Sequence, residues 1–574
     1  MTDSPSPDPS EELLRHQAQE RAAATKRVVE SQARLRVVVA GPGTGKTYCF
    51  RQALEQAGGG VALTFINNLA NMMKKDLGGV AEVYTCHGFA KRLFYQLGSP
   101  GFSQEPEYYP PLFELFAEDL ELMGTNWDGH SISLHFAHVT EPDGVIDNVL
   151  ELGAHYSAVT HDDCVLRVTR YLRGHPEAVP DVPLLVVDEF QDFNRSEARF
   201  LWLLGSANAV LLAGDDDQAL YSFKGASSKF LRLIHAREGA EQHCLPYCSR
   251  CPQVVTEAVN LVVSRAQAEG HLVDRLPKKF ECYLPGKLQD SREHPSIRHL
   301  ACTVENNRSP YVGRCIAEAI CDIPEDDWES ARAGGHPCVL VVGPMEFVRR
   351  ASSTLQGEGV KAILKESSPP KVRLLDGYRL VIRDVTSCLG WRIVVHCVPP
   401  EGAGALIVAA RMDDCSLYHV LPRDYVDAHL EAAEAVASAL VGEPVAAEVC
   451  ERIRDTAGQS LESLVADADD VPGDESSADV LCTSFAGSKG LSAHHVFIVG
   501  MNDGHFPRRR DDITDDEVCQ LLVALSRTKK SCTLVSAGRF GGGCLRPSVF
   551  LEWLKPLIDP CRFTKDGLAP RAFR

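Results

Sequence analysis

The residues with the plainest chemical purpose are Ala40-Gly41-Pro42-Gly43-Thr44-Gly45-Lys46-Thr47. An apolar β-branched run (residues 36–39) precedes them and a helix-compatible stretch (residues 48–57) follows. Strand, glycine loop and helix in that order form a P-loop, in which backbone N–H groups and a helix N-terminus cradle phosphates. Lys46 then reaches the outer phosphate oxygens, and the Thr47 hydroxyl is placed for Mg²⁺.

A second group is Asp188-Glu189-Phe190-Gln191-Asp192, directly after the apolar run Leu184–Val187. Acids and an amide at the C-terminal end of a buried strand lie where open α/β sheets bind ligands. Asp188 suits the metal shell, and Glu189 suits a base that orients and deprotonates water. A third strand end delivers Gly214-Asp215-Asp216-Asp217-Gln218, with Tyr221, Phe223 and Lys224 close behind. Aromatic rings interleaved with a cation suit stacking on single-stranded bases. Taken alone, Tyr221 and Phe223 read more often as packing residues.

Such groups must be held by strands covered on both faces. Short continuous apolar runs mark them: Leu35–Ala40, Val61–Phe65, Leu184–Val187, Ala209–Ala213, Cys338–Val342, Ala405–Ala409, Val496–Val499 and Cys532–Ser536. Continuous rather than alternating hydrophobicity is the mark of parallel α/β sheets. The runs fall on either side of Arg250 and predict two parallel-sheet domains, each interrupted by a largely helical insertion.

The ordered blocks GPGTGKT, TFINNLA, TCHGFA, VVDEFQD, GDDDQALYSFKGA, SKGL and LLVALSRTKK resemble those of superfamily 1 helicases of the UvrD/Rep/PcrA type, from about Val37 to Lys530. The resemblance implies two RecA-like P-loop NTPase domains that clamp ATP and Mg²⁺ between them, with single-stranded DNA across their tops. On it, residues 11–91 and 183–250 form the first domain and 92–182 its insertion. Residues 251–364 and 481–574 form the second domain, with 365–480 a reduced, acidic insertion. The resemblance implies DNA contacts from Thr64, Phe65, Asn67, Thr85, His87, Tyr221, Phe223 and Lys489. Phe65 offers a stacking face, and Thr, Asn and His donate to phosphates; singly, Phe65 reads as core and His87 as a loop histidine. Gln218 is expected to sense the γ-phosphate, and Arg250 and Arg527 to reach it from the second domain. Arginines so placed stabilise charge on the transferring group by roughly 10³–10⁵ in rate.

Two blocks depart from the family pattern. Cys248-Ser249-Arg250-Cys251 stands where the family has Asn-Tyr-Arg-Ser, leaving Tyr247 as an open substitute for the adenine-stacking tyrosine. Ala486 and Ser492 replace a His and a Glu in the SKGL block. Gln17 and Gln19 lie too far upstream, and Gln32 too near, for an adenine-reading glutamine. Phosphate chemistry is complete while base and sugar recognition is loosened, which predicts weak nucleotide preference. The CxxC at Cys248 and Cys251 lacks the second pair that tetrahedral zinc favours, and reads as reduced thiols.

Composition closes off other classes. The chain has 574 residues and a net charge of −19, with a pI near 5.5, so bulk positive charge does not hold it on nucleic acid. The Pro/Ser-rich, acidic residues 1–10 read as a disordered tail rather than an export signal. Twenty cysteines without such a signal, and no apolar run of membrane length, predict a soluble cytoplasmic protein with reduced thiols and no membrane partner. Only 47 residues follow Arg527, too few for an attached nuclease domain. The expectation is a 3′–5′ single-stranded DNA translocase or helicase, acting at duplex junctions in repair, replication or defence with a protein partner such as a nuclease. A nucleotide-gated scaffold on DNA or RNA is the alternative.

Overall fold

Valines and alanines in the apolar runs divide between two sides of a sheet. Val37, Val39, Leu63, Val187 and Leu212 enter one buried cluster; Val38, Ala40, Ala62, Val186, Leu211 and Ala213 enter another. Strands so covered must bury both faces, which parallel pairing with crossover helices provides. The computed structural model of the chain describes residues 9–138, 144–302, 311–366, 369–466, 478–540, 543–564 and 567–568.

Numbering the strands of the two large sheets in chain order, the first contains β1 (Leu35–Ala40), β2 (Val61–Thr64), β3 (Glu82–Thr85), β4 (Leu185–Val187), β5 (Val210–Gly214) and β6 (Ala240–Leu245). Their spatial order is β3-β2-β4-β5-β1-β6, all parallel. The second sheet contains β7 (Ile297–Cys302), β8 (Val339–Val342), β9 (Ala362–Lys365), β10 (Val480–Thr483), β11 (Ala493–Ile498), β12 (Thr528–Ala537), β13 (Ile558–Thr564) and β14 (Gly567–Leu568). Its order is β9-β10-β8-β11-β12-β7-β13-β14, with only β14 antiparallel. The architecture is two RecA-like parallel α/β sheets with many helices.

Between β3 and β4 the chain is helical, with Leu112–Leu122, Gly129–His138, Gly144–Tyr156 and His161–Gly174 as its main elements. Between β9 and β10 it is helical again, from Leu374–Arg383 to Leu461–Ala466. These two helical regions pack on one another: Leu380, Leu389 and Ile393 share a buried cluster with Leu115, Phe116, Ile132 and Tyr156. Fully buried Arg392 crosses that contact, its Nε donating to Asp119 Oδ1 at 2.9 Å and its Nη2 to Glu118 Oε2 at 2.6 Å.

One predicted strand is a helix. The run Ala405–Ala409 lies inside helix Ala403–Met412, which starts from Gly402 at φ +73°. A five-residue apolar run has no period of its own, and the alanine, leucine and methionine around it favour helix. Of the expected tail, residues 1–8 lie outside the described residues, and helix Pro9–Glu30 begins within its last two. Residues 467–477, near the acidic end of the expected second insertion, lie outside them too.

Candidate nucleotide-binding cleft

The P-loop leaves β1 and turns into helix Lys46–Ala57 through Gly45, whose φ of +94° excludes ordinary side chains. No side chain caps this helix, so its first N–H groups face the loop, as an anion site requires. Gly43 is irreplaceable for a second reason: a Cβ there would meet Arg250 Cβ at 2.4 Å and Cys248 Sγ at 3.2 Å. Ser249 N–H donates to Gly43 O at 2.8 Å, so the loop carrying Arg250 rests directly on the cradle.

Lys46 Nζ lies 3.2 Å from Glu189 Oε1 and 3.4 Å from the Ala40 carbonyl. Glu189 has φ +55°, a left-handed backbone that costs a non-glycine residue about 1–3 kcal/mol and is kept where function demands it. Its second oxygen accepts from Gln191 Nε2 at 2.6 Å, and Gln191 Oε1 in turn accepts from Asp215 N–H at 2.9 Å. Burial raises the Glu189 carboxyl, but Lys46 and Lys489 outweigh it and hold the group far below its ordinary range. Asp188 moves the other way: burial first, then the neighbouring Glu189, push its carboxyl up. Its Oδ1 accepts only its neighbour's N–H at 2.9 Å, and among the described residues no cation pairs with it. A buried carboxylate without an ion pair, at a strand end within the field of the P-loop lysine, fits a divalent metal ion.

The second half of the cleft supplies positive charge. Arg527 is 3% exposed; its Nη2 donates to Gln218 Oε1 at 3.1 Å and its Nε to the Val523 carbonyl at 2.9 Å. Burial, and after it Arg250, push the Arg527 guanidinium down to about 9, the mark of paired cations short of an anion. Arg250 Nη1 donates to the Ser526 carbonyl at 3.4 Å. Gln218, Arg250 and Arg527 are thus brought together with Lys46 and Glu189.

Lys489 is a correction. Expected on the DNA path, it is 2% exposed and reaches across the cleft to Asp192, to the Gln218 carbonyl at 2.7 Å and to Glu189 at 3.6 Å. Three acceptors in a dry site hold an ammonium more strongly than a solvated phosphate does. Lys278 was not anticipated at all. It pairs with Asp215, Asp216 and Asp217, while Arg275 pairs with Asp217 at 2.7 Å and Arg232 with Asp216 at 3.1 Å. The carboxylates of that triad converge as metal ligands would, but fixed cations already neutralise them.

The residues expected on DNA divide. The Phe65 and Tyr221 rings pack 4.8 Å apart, tilted by 50°; Tyr221 is buried, its hydroxyl on the Ala486 carbonyl at 3.2 Å, and Phe223, 5.9 Å from it, is 53% exposed. Asn67 is exposed at the start of helix Asn67–Leu77, while Thr64 is fully buried. Thr85 caps helix Cys86–Gln96, accepting from Gly88 N–H at 3.0 Å. His87 lies 3.3 Å from both Asp162 and Glu197; burial lowers its pKa, but the two carboxylates outweigh that and raise it. Phe223 and Asn67 are the exposed side chains of the set.

Beside the P-loop, a cavity of about 700 Å³ is lined by Arg21, Thr44, Gly45, Tyr48, Gln52 and Tyr283. The Arg21 guanidinium lies over the Tyr283 ring at 4.3 Å. Tyr247 does not face it: that ring is buried, its hydroxyl on Glu20 and Lys279. Gln17 is also buried, accepting from Leu284 N–H at 3.0 Å. No motif at Arg21 or Tyr283 announced this pair, because the two are far apart in sequence and meet only through packing.

Two parallel sheets, a P-loop and a cleft lined from both halves define a RecA-like P-loop NTPase. The sequence model of the AAA domain family matches residues 20–224. The ATP-dependent DNA helicase Rep of Escherichia coli is 28% identical over 246 residues, 34% of this chain and 36% of that protein. DNA helicase II of E. coli is 33% identical over 81 residues, covering 14% of this chain and 11% of that protein. The ATP-dependent DNA helicase srs2 of Schizosaccharomyces pombe is 24% identical over 168 residues, covering 29% and 17%. The aligned stretches therefore span little more than a third of these relatives at most. Within the P-loop class, the matched stretches are similar to DNA helicases of the UvrD/Rep type. No helix among the described residues is long and apolar enough to cross a membrane.

Proposed function

We propose that the chain is a DNA-stimulated ATPase that moves 3′–5′ along single-stranded DNA and opens duplex at a junction ahead of it. The observation that carries the reading is the convergence of Lys46, Glu189, Gln218 and Arg527 in one buried cleft built from both sheets. Direction rests on the resemblance, and DNA as the track rests on the naming of the relatives as DNA helicases. In this reading residues 11–91 with 183–250, and 251–364 with 481–574, are the two motor domains.

The steps follow from charge. Phosphates entering the cradle draw Lys46 from Glu189 to the β/γ oxygens, freeing the carboxylate to orient a water and take its proton. Thr47 and Asp188 would hold Mg²⁺, which supplies neutralising charge to the phosphate oxygens. Arg250 and Arg527 meet the charge that develops on the transferring group. Gln218 joins the two events: its side chain bonds Arg527, and its carbonyl accepts from Lys489, which lies over the Tyr221 ring at 5.8 Å. Tyr221 packs on Phe65, so a change at the γ-phosphate moves the aromatic row that leads to exposed Phe223.

The test is steady-state ATP hydrolysis with and without oligo-dT, in the wild type and in Glu189→Gln. The expected result is a rise of tenfold or more with DNA, abolished in the variant. Hydrolysis indifferent to DNA overturns the translocase reading and leaves a nucleotide-gated scaffold.

A further inference from the structure

The turn Cys248-Ser249-Arg250-Cys251 carries more than its arginine. Cys248 ends the short strand Tyr247–Cys248, and the turn runs through Pro252 into helix Gln253–Ala268. Cys251 N–H donates to Cys248 Sγ at 3.4 Å. A sulfur that accepts a backbone N–H at the mouth of a helix, beside an arginine, is set up to ionise. Burial opposes ionisation of Cys248; its bonds to Cys251 and the Arg250 charge prevail, and the thiol stands below its ordinary range. Cys251, bonded to that sulfur and buried, is raised.

The same four residues join both halves of the cleft. Cys248 Sγ lies against Gly43 on the P-loop side. On the other side, Cys251 Sγ donates to the Ser526 carbonyl at 3.5 Å, and Arg250 Nη1 donates to the same oxygen at 3.4 Å. Ser526 is the residue before Arg527. A third sulfur, Cys282, stands opposite Cys248 in the strand ladder but donates to the Cys251 carbonyl at 3.4 Å. Among the described residues, Asp215, Asp216 and Asp217 form the donor trio whose atoms converge as on a metal; the three sulfurs do not. All twenty cysteines are unbridged.

We propose that Cys248 and Cys251 are a redox-active dithiol, and that a peroxide closes them into a disulfide that disables the nucleotide cleft. The Cys248 thiolate attacks one peroxide oxygen; the O–O bond breaks, giving a sulfenic acid and a hydroxide that takes a proton and leaves as water. The Cys251 sulfur then attacks Cys248 Sγ, the S–S bond forms, the S–O bond breaks, and the Cys251 proton leaves with the hydroxyl as a second water. Two thiols lose two electrons to one peroxide, and an external dithiol reverses the change. The bridge takes the proton that Cys251 donates to the Ser526 carbonyl and constrains the turn that seats Arg250 on Gly43. Both sulfurs are fully buried; Cys248 Sγ lies against Gly43, so phosphates bound over Gly43 are expected to shield it from reagent. The effect on the cleft rests on the nucleotide-binding reading above; the bridge itself does not.

The experiment treats the reduced full chain with hydrogen peroxide, blocks remaining thiols with N-ethylmaleimide, and reads non-reduced peptides by mass. Exposed Cys321 and Cys544 report the dose. A Cys248–Cys251 bridge is expected, suppressed by a non-hydrolysable ATP analogue with Mg²⁺ and removed by dithiothreitol. In step with it, affinity for a fluorescent ATP analogue and the hydrolysis rate each fall at least tenfold and return on reduction. In Cys248→Ser both stay within twofold of that variant's own untreated values, and Cys282→Ser keeps the wild-type response. Maleimide on both Cys248 and Cys251 at a dose that oxidises Cys321 and Cys544 overturns the dithiol. So does a Cys248–Cys282 bridge. A bridge that leaves nucleotide affinity unchanged overturns the switch. A chain that binds nucleotide without hydrolysing it refutes the proposed function, while peptide mass and affinity still decide this inference.

Discussion

Replacing Lys489 by methionine separates a cleft cation from a DNA contact. The ammonium is 2% exposed and faces Asp192, which is 1% exposed, so the variant leaves a buried carboxylate bare and Glu189 with Lys46 alone. Removing one partner of a buried pair costs about 3–5 kcal/mol. Lys489→Met is therefore expected to lose about 3 kcal/mol or more in urea unfolding at pH 8, and Asp192→Asn in the same chain to recover at least half of it. The pH dependence has a fixed sign. Burial pushes Asp192 up to about 6 while Lys489 pulls it down; without the lysine it rises further. Protonation then relieves the bare charge, so the deficit of the variant shrinks as pH falls from 8 towards 6. A phosphate contact behaves differently: losing one lowers the slope of log K for DNA against log salt by about one and leaves stability alone. A stability change under about 1 kcal/mol, combined with that loss of slope, would refute the buried geometry and return Lys489 to the DNA path.

Other outcomes follow from the same cleft and core. Arg527→Lys is expected to lower kcat at least about 100-fold with nucleotide KM changed by less than about fivefold, because a compact ammonium does not reproduce the guanidinium fork; a change in KM alone would make Arg527 a ground-state contact. Tyr283→Ala is expected to raise nucleotide KM, since it removes the ring under Arg21. GTP should be hydrolysed at more than about a hundredth of the ATP rate, because this pair offers a stacking face that any base can use; steady-state kinetics with both nucleotides checks both statements. Burial lowers His429 to about 4, with Nδ1 2.9 Å from the Tyr378 hydroxyl. Neutral histidine then contributes stability above the unfolded pKa near 6.5, and it is lost as pH falls from 6.5 towards 4. His429→Gln should flatten that loss in an acid titration followed by circular dichroism; an unchanged acid midpoint would place the charge elsewhere.

The phosphate half of the site was legible because its residues are consecutive. A P-loop needs its glycines, lysine and threonine at fixed spacing, and the acids after β4 and β5 stand at the ends of strands whose apolar runs announce them. Arg527 was legible through its block, LLVALSRTKK. What escaped is set by packing between distant segments. Lys278 has no motif around it, yet it neutralises three aspartates 61 to 63 positions upstream. Tyr283, which lines the cavity beside the P-loop with Arg21 over its ring, stands in no family block, whereas Ser249 occupies the family's tyrosine position. Strands β3, β6 and β7 hid because Glu82, Tyr84, Glu241, Gln242, Arg298 and His299 interrupt their apolar runs. The misread run Ala405–Ala409 shows the converse, a helix segment too short to declare its period.

The contact between the two helical regions bears on how force travels. Among the described residues the halves meet along the cleft, through Lys489, Arg527, Lys278 and the Arg21–Tyr283 pair, and again between the helical regions, through Arg392 and its apolar surroundings. A body joined at two ends is a closed linkage, not a free hinge. Play at the cleft is limited to what the far joint yields, and that joint yields reluctantly, because pulling Arg392 away strands Asp119 without its cation. Small displacements made at the phosphates thus arrive at the helical arms as strain rather than as swing. The stiffness of one buried arginine clasp then sets how much of each nucleotide cycle reaches whatever the arms press against.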